Sequence, residues 1–149
     1  MVRVSDTTKA YVAERVGRAS LLLPASDEES RKAVALIDRA VNADEFKVDA
    51  WALSYFQVAK GLAEYRQGHL DNAIALLKGI QALKPAPQLI LAMAQQRLGK
   101  IDEAHKTLAS ALRMFDWSQA RAIDADAWMF HVLRREAEAT IQPSSSSLK

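Results

Sequence analysis

Cysteine is absent from the 149-residue chain, which excludes disulfides and thiolate metal sites. Glycine and proline are scarce, at five and four, so each becomes a candidate punctuation mark between regular elements. No apolar run reaches the length of a membrane span. The longest burst near the start, Leu21-Leu22-Leu23, is stopped by Pro24, too short and too late for a secretory signal. Neither sign of charge dominates: 20 basic against 18 acidic residues leave +2, a surplus too small to mark a nucleic-acid-binding stripe. A cytoplasmic protein with no membrane contact is the expectation.

What is present favours helix. Half of the residues are hydrophobic and about a quarter charged, as in one ordinary globular domain with one core. Alanine, leucine, arginine, lysine, glutamate and glutamine, all good helix formers, are abundant. One pattern is written twice. Tyr65-Arg66-Gln67-Gly68-His69-Leu70-Asp71-Asn72-Ala73 and Gln96-Arg97-Leu98-Gly99-Lys100-Ile101-Asp102-Glu103-Ala104 superpose at an offset of 31 residues, and Leu77 then falls on Leu108. Each copy sets a glycine between two stretches of helical periodicity, so the repeating unit is a helix–turn–helix.

Taken in order, the chain predicts six or seven helices. The first, 7–22, carries Tyr11, Val12, Arg15, Val16, Ala19 and Leu22 or Leu23 on one stripe. Ser26 and Glu29 fit a capping box that opens a second, 27–42, with Ala33, Val34, Ile37, Ala40 and Val41 inward. Residues 43–47 form a polar link with Phe46 on the helix ends. A third helix, 48–67, carries Trp51, Tyr55, Val58, Leu62 and Tyr65, and Gly68 ends it. The fourth, 70–83, buries Leu70, Ala73, Ile74, Leu77 and Ile80. Pro85 and Pro87 break the chain before a fifth, 87–98, which is apolar on most sides and should therefore have neighbours on more than one face. The sixth, 100–115, repeats the fourth with Ile101, Ala104, Leu108, Ala111, Leu112 and Phe115. The last spans 124–140, and the serine-rich tail 142–149 is expected to be disordered.

These positions resemble the tetratricopeptide family, whose period is 34 residues. In the first clear unit, about 54–85, Gly61 is the small residue of helix A, Gly68 the turn glycine, Ala73 and Leu77 the small and bulky residues of helix B, and Pro85 the closing proline. In the second, about 85–116, Leu91, Ala92, Gly99, Ala104, Leu108 and Ala111 match. The departures are Gln57, Lys60 and Ile80 in the first unit and Asp116 for the proline of the second. Residues 1–47 match weakly, as a degenerate helical pair. The resemblance implies an all-α right-handed superhelix of two such units (48–116) behind that pair, closed by a capping helix at 117–141, all in one domain. A narrower likeness lies in Met93–Gly99 with Asp102-Glu103-Ala104, and in Trp128–Ala139. Both are similar to tetratricopeptide segments that follow some bacterial serine/threonine kinases, notably in planctomycetes, although no Gly-rich loop, H-R-D or D-F-G of a kinase is present.

The same resemblance implies that a protein or peptide partner binds a concave face. Tyr55, Val58, Leu62, Tyr65 and Arg66 would line it from the first unit, and Ala86, Leu89, Met93, Gln96 and Arg97 from the second. Arg66 and Arg97, at equivalent positions, would set its charge preference. The contrary expectation is that an N-terminal helix pair or the last helix folds into that groove. A second reading, phosphate or nucleic-acid binding, would use Arg97, Arg113, Arg134 and Arg135, whereas a solvated helix face would pair Arg134 and Arg135 with Glu136 and Glu138. An enzyme reading lacks a nucleophile–base pair and would need a closed pocket lined by two carboxylates or a histidine pair. His69, His105 and His131 show no metal-ligand spacing, and no cofactor or metal is expected. Trp51 and Trp128 are expected in the core, Trp128 as the anchor of the last helix, and Trp117 as a cap on the sixth. Homodimerisation through an end of the array is left open.

Overall fold

Helix boundaries fall where the sequence places its glycines, prolines and caps. The structure is a computed structural model that describes residues 4–23, 26–41, 50–118 and 125–142, with side chains from residue 11 onward, except those of 41, 50, 51 and 125. Over these residues the chain is all helix, with no strand: α1 (Val4–Leu22), α2 (Asp27–Val41), α3 (Ala50–Arg66), α4 (Leu70–Lys78), α5 (Ala86–Arg97), α6 (Ile101–Arg113) and α7 (Ala125–Ile141). Among the described residues no helix is long and apolar enough to cross a membrane. The predicted link at 43–47, the Trp51 side chain and the serine tail from 143 lie outside the described residues.

α1 and α2, α3 and α4, and α5 and α6 form three hairpins. Neighbouring hairpins touch through α2–α3, α4–α5, α1–α3 and α3–α5. The capping box that opens α2 is made: Ser26 N–H and its hydroxyl both donate to Glu29 Oε2 (3.0 and 2.9 Å), and Glu29 N–H donates to Ser26 Oγ. α5, apolar on most sides, touches α3, α4, α6 and α7, as its pattern requires.

The written repeat is also a structural repeat. At the end of α3, Gly68 N–H bonds to Tyr65 O, His69 N–H to Glu64 O, and Ala73 N–H to His69 O. At the end of α5, Gly99 N–H bonds to Gln96 O, Lys100 N–H to Gln95 O, and Ala104 N–H to Lys100 O. Each bond recurs at the offset of 31. Both turns are Schellman motifs, which need a residue in the left-handed region, and Gly68 and Gly99 supply φ of 79° and 88°.

Within hairpins, helices cross at small residues. A Cβ on Gly61 would sit 2.5 Å from Leu77 Cδ2, and one on Gly17 would sit 2.7 Å from Ile37 Cγ1 and 3.0 Å from the Ala33 carbonyl. Ala33, Ala73, Ala92 and Ala104 are all buried, as are Ile37, Leu77 and Leu108. Gly17 therefore does in the first hairpin what Gly61 does in the second.

Two expectations are corrected. α4 ends at Lys78, not at 83, because Gly79 takes the C-cap and Leu83 turns to φ 57°. Ile80 is buried all the same. α1 is rotated from the predicted stripe: Glu14, Gly17, Leu21 and Leu22 face inward, while Val12, Arg15, Val16, Ala19 and Leu23 are exposed. The cause is Gly17, since α1 can approach α2 this closely only along the face without a side chain.

Candidate functional site

The last helix decides what the odd-numbered helices can offer. α7 buries Met129, Phe130, Leu133, Ala137 and Ile141, spaced three and four apart on one stripe. It packs on α5 and α6 and touches α1. Its polar side chains extend this contact to α3. Tyr55 Oη donates to Asp126 Oδ2 at 2.7 Å, and Arg66 grips Glu136 with both terminal nitrogens, the Nη2–Oε2 bond measuring 2.7 Å. Tyr55 and Asp126 lie toward the starts of their helices, Arg66 and Glu136 toward the ends, so α7 runs alongside α3 in the same direction. Further out, Arg18 Nη1 donates to Met129 Sδ at 3.3 Å.

Arg66 is the hub. Besides the Glu136 fork, its Nε–H donates to the Leu21 carbonyl in the last turn of α1 at 2.8 Å. Such carbonyls have no partner within their own helix and are satisfied by caps, water or a cation. Arg97 repeats this bond one hairpin later, with Nη1 donating to the Tyr65 carbonyl at 3.2 Å. Leu21 stands four residues after Gly17, and Tyr65 four after Gly61. Arg66 and Arg97 stand five after Gly61 and Ala92. The two equivalent arginines thus tie α3 to the end of α1 and α5 to the end of α3. Arg97 also lies over the Tyr65 ring at 5.1 Å. Burial raises the Tyr65 phenol above its ordinary pKa, and the Glu136 charge adds to the rise.

A cavity of about 460 Å³ opens between α1, α3 and α7, with Tyr11, Tyr55, Phe56 and Trp128 among its walls. It holds two carboxylates, Glu14 and Asp126. Both are hydrogen-bonded within the fold, Glu14 by Arg18 Nε at 2.5 Å and Asp126 by Tyr55, and Arg18 stands over the Tyr55 ring at 4.9 Å.

Of the residues expected to line a partner groove, Val58, Leu62, Tyr65, Leu89 and Met93 are buried in the protein's own core, and so is Ala86. As open groove residues they are corrected: they belong to the protein's own hydrophobic core. Tyr55, Arg66 and Gln96 are half-buried, and Arg97 is exposed. The repeat residues Gly61, Ala73, Leu77, Pro85, Ala92, Ala104 and Leu108 are buried, and Gly68 and Gly99 sit exposed in their turns.

The remaining candidates are scattered. Arg134 Nε donates to Glu138 at 3.1 Å while its guanidinium stacks 4.6 Å over Trp117. Arg113 and Arg135 are exposed. Trp117 caps α6 by donating Nε1–H to the Leu112 carbonyl at 2.9 Å, and packs edge-on against Phe115 and His131. Trp128 is corrected: at 45% exposure it stands at the cavity rim, and Met129, Phe130 and Leu133 anchor α7 in its place. His69 bonds to Glu64 Oε2 at 2.8 Å. Among the described residues no group of three or more histidines and carboxylates is placed to hold a metal.

No protein-family model, curated protein or solved structure matches this chain. The site therefore rests on its own geometry. Sequence reasoning paired Glu136 with Arg134 and Arg135 rather than with Arg66, and it missed Glu14 and Arg18. Glu136 follows two arginines in a helix and reads as an ordinary surface acid; nothing local distinguishes it from Glu138. Glu14 and Arg18, four apart, carried a readable ion-pair spacing, but the misplaced face of α1 concealed it.

Proposed function

We propose that this chain is a non-catalytic, tetratricopeptide-type interaction module whose odd-helix face binds an amphipathic helix, and that α7 occupies that face as an intramolecular ligand. The observation that carries the reading is the Arg66–Glu136 fork backed by the Leu21 carbonyl. A single guanidinium joins α1, α3 and α7, and a bidentate grip of this kind selects for a carboxylate as well as holding it. α7 then displays what a partner would need: apolar residues at three- and four-residue spacing for the α5 surface, and an acid one turn from the end for Arg66. The repeated Schellman turns and the crossings at Gly17 and Gly61 support the family assignment. The likeness of Trp128–Ala139 to the segment closing certain bacterial kinases places the module, in this proposal, in the regulatory part of a serine/threonine signalling protein.

The test is competition for the face. A labelled peptide of residues 125–141 is titrated against the wild-type protein and against Glu136→Ala. Loosening the resident helix should strengthen peptide binding about tenfold, a change of about 1.4 kcal/mol. Equal binding to both proteins, or none to either, would remove the reading.

A further inference from the structure

Arg66 of α3 and Arg18 of α1 are both largely buried, at 16% and 14% exposure, yet they are satisfied to different degrees. Every nitrogen of Arg66 meets oxygen, Nε at the Leu21 carbonyl and both terminal nitrogens at the Glu136 carboxylate. Arg18 has its Nε–H on Glu14 Oε1 at 2.5 Å and its Nη1 on Met129 Sδ at 3.3 Å. A thioether is a weak acceptor, and among the described residues neither terminal nitrogen of Arg18 meets an oxygen. Buried polar groups are normally paired, and an exception calls for a reason. Met129 and Tyr55, over whose ring the Arg18 guanidinium stands at 4.9 Å, are both walls of the cavity of about 460 Å³ between α1, α3 and α7. The unmatched edge of the guanidinium therefore borders that cavity.

We infer that the cavity binds a small aromatic carboxylic acid, its carboxylate gripped by the terminal nitrogens of Arg18 and its ring held among Tyr11, Phe56 and Trp128. The formal charges of the lining balance, Glu14 and Asp126 against Arg15 and Arg18, so the hydrogen bonds decide the sign of the ligand. Both acids already accept a bond, one from Arg18 and one from Tyr55. What is left over is donors. Arg15, exposed on the same wall, adds a charge that forms no ion pair among the described residues. With Nε fixed on Glu14, the terminal nitrogens of Arg18 present the end-on edge of the fork, which matches the two oxygens of a carboxylate. Elsewhere the lining is apolar, with Leu22, Ala52, Phe56 and Met129 all buried. The volume falls within the range of small-molecule pockets, about 300–1,000 Å³. Binding here uses α7 as a wall, through Asp126, Trp128 and Met129, and requires no release of it. It can therefore fail or succeed separately from the helix-binding reading.

Titration calorimetry of the full chain with hydrocinnamate tests it, with hydrocinnamide and phenethylamine as neutral and cationic probes of similar shape. The acid should bind, shifting the Trp128 indole and Arg18 Nε–H resonances in proton–nitrogen spectra, and the amide should bind at least about tenfold more weakly. Arg18→Lys keeps a cation beside Glu14 but has no fork. It should weaken the acid by about tenfold with helicity unchanged by circular dichroism and the weak binding of the amide unaltered. An acid that gives neither heat nor shifts overturns the assignment, as does an amide that binds equally or an amine that binds more tightly. Acid binding that survives in a folded Arg18→Lys protein does the same. Should that variant fail to fold, the comparison of acid with amide on the wild type decides alone. An acetylated peptide ending in phenylalanine carries the same carboxylate and ring on a chain. Tighter binding of the peptide than of hydrocinnamate would overturn the small-molecule assignment.

Discussion

A glycine inside a helix costs about 1 kcal/mol relative to alanine, and this chain keeps two, Gly17 in α1 and Gly61 in α3. They differ in what a methyl group would meet. At Gly61 it meets the Leu77 side chain, which has rotatable bonds to yield with; at Gly17 it meets Ile37 and, at 3.0 Å, the Ala33 backbone carbonyl. Backbone cannot step aside without moving α2. Gly17→Ala is therefore expected to lower stability by about 1–3 kcal/mol despite the gain in propensity, and to do so more than Gly61→Ala. Urea denaturation of the two variants checks the order, and a stabilised Gly17→Ala would show that the α1–α2 crossing has room for a methyl group. Gly61 was legible in the sequence because Leu77 follows at the spacing that Ala92 and Leu108 share. Gly17 was not, because Ile37 lies four residues further on, across a longer turn, and the offset that exposes the repeat fails there.

Elements are joined by charge as well as by apolar fit. Lys60 links α3 to α2 through Asp38 and also holds Glu64, one turn on, which in turn bonds His69. Burial alone would push the Glu64 pKa up, but the Lys60 and His69 hydrogen bonds outweigh it and hold the carboxyl below its ordinary value. Burial would likewise lower Lys60, and Asp38 and Glu64 raise it instead. The signs are opposite. Glu64 contributes stability that is complete above its unfolded pKa of about 4.3 and is lost as pH falls through the lower folded value. Lys60 contributes stability that is complete below about 10.4 and is lost as pH rises through its raised value. Glu64→Gln should accordingly flatten the acid limb of a melting-temperature profile below about pH 5, and should also shallow the alkaline limb, because Lys60 then keeps only Asp38. An acid limb as steep as the wild type's would show that this network contributes nothing to the α2–α3 joint. The helices themselves were well marked by caps and glycines. The face each helix turns inward was less so, because α1 is apolar on two sides and only the contact with α2 chooses between them.

For the molecule as a whole, the question is what closes the row of odd-numbered helices. Three hairpins and a last helix could be counted from the sequence. That the last helix lies along α3 could not, because the contact joins residues 70 apart in sequence and Glu136 has the surroundings of any surface acid. Its energetics follow from geometry. The Arg66–Glu136 pair is half-buried, and removing Glu136 leaves Arg66 still bonded to the Leu21 carbonyl, whereas removing Arg66 strands both the carboxylate and the carbonyl. Arg66→Ala should therefore cost more stability than Glu136→Ala, with a coupling of about 0.5–3 kcal/mol in the double-mutant cycle. The loss should also be local. Amide exchange in Glu136→Ala should rise along α7 while α3 to α6 keep their protection, because the repeat turns and the Gly61 crossing do not involve α7. Exchange rising uniformly across all seven helices would instead make α7 part of the folding core. In that case no partner could take its place on the face without unfolding the protein.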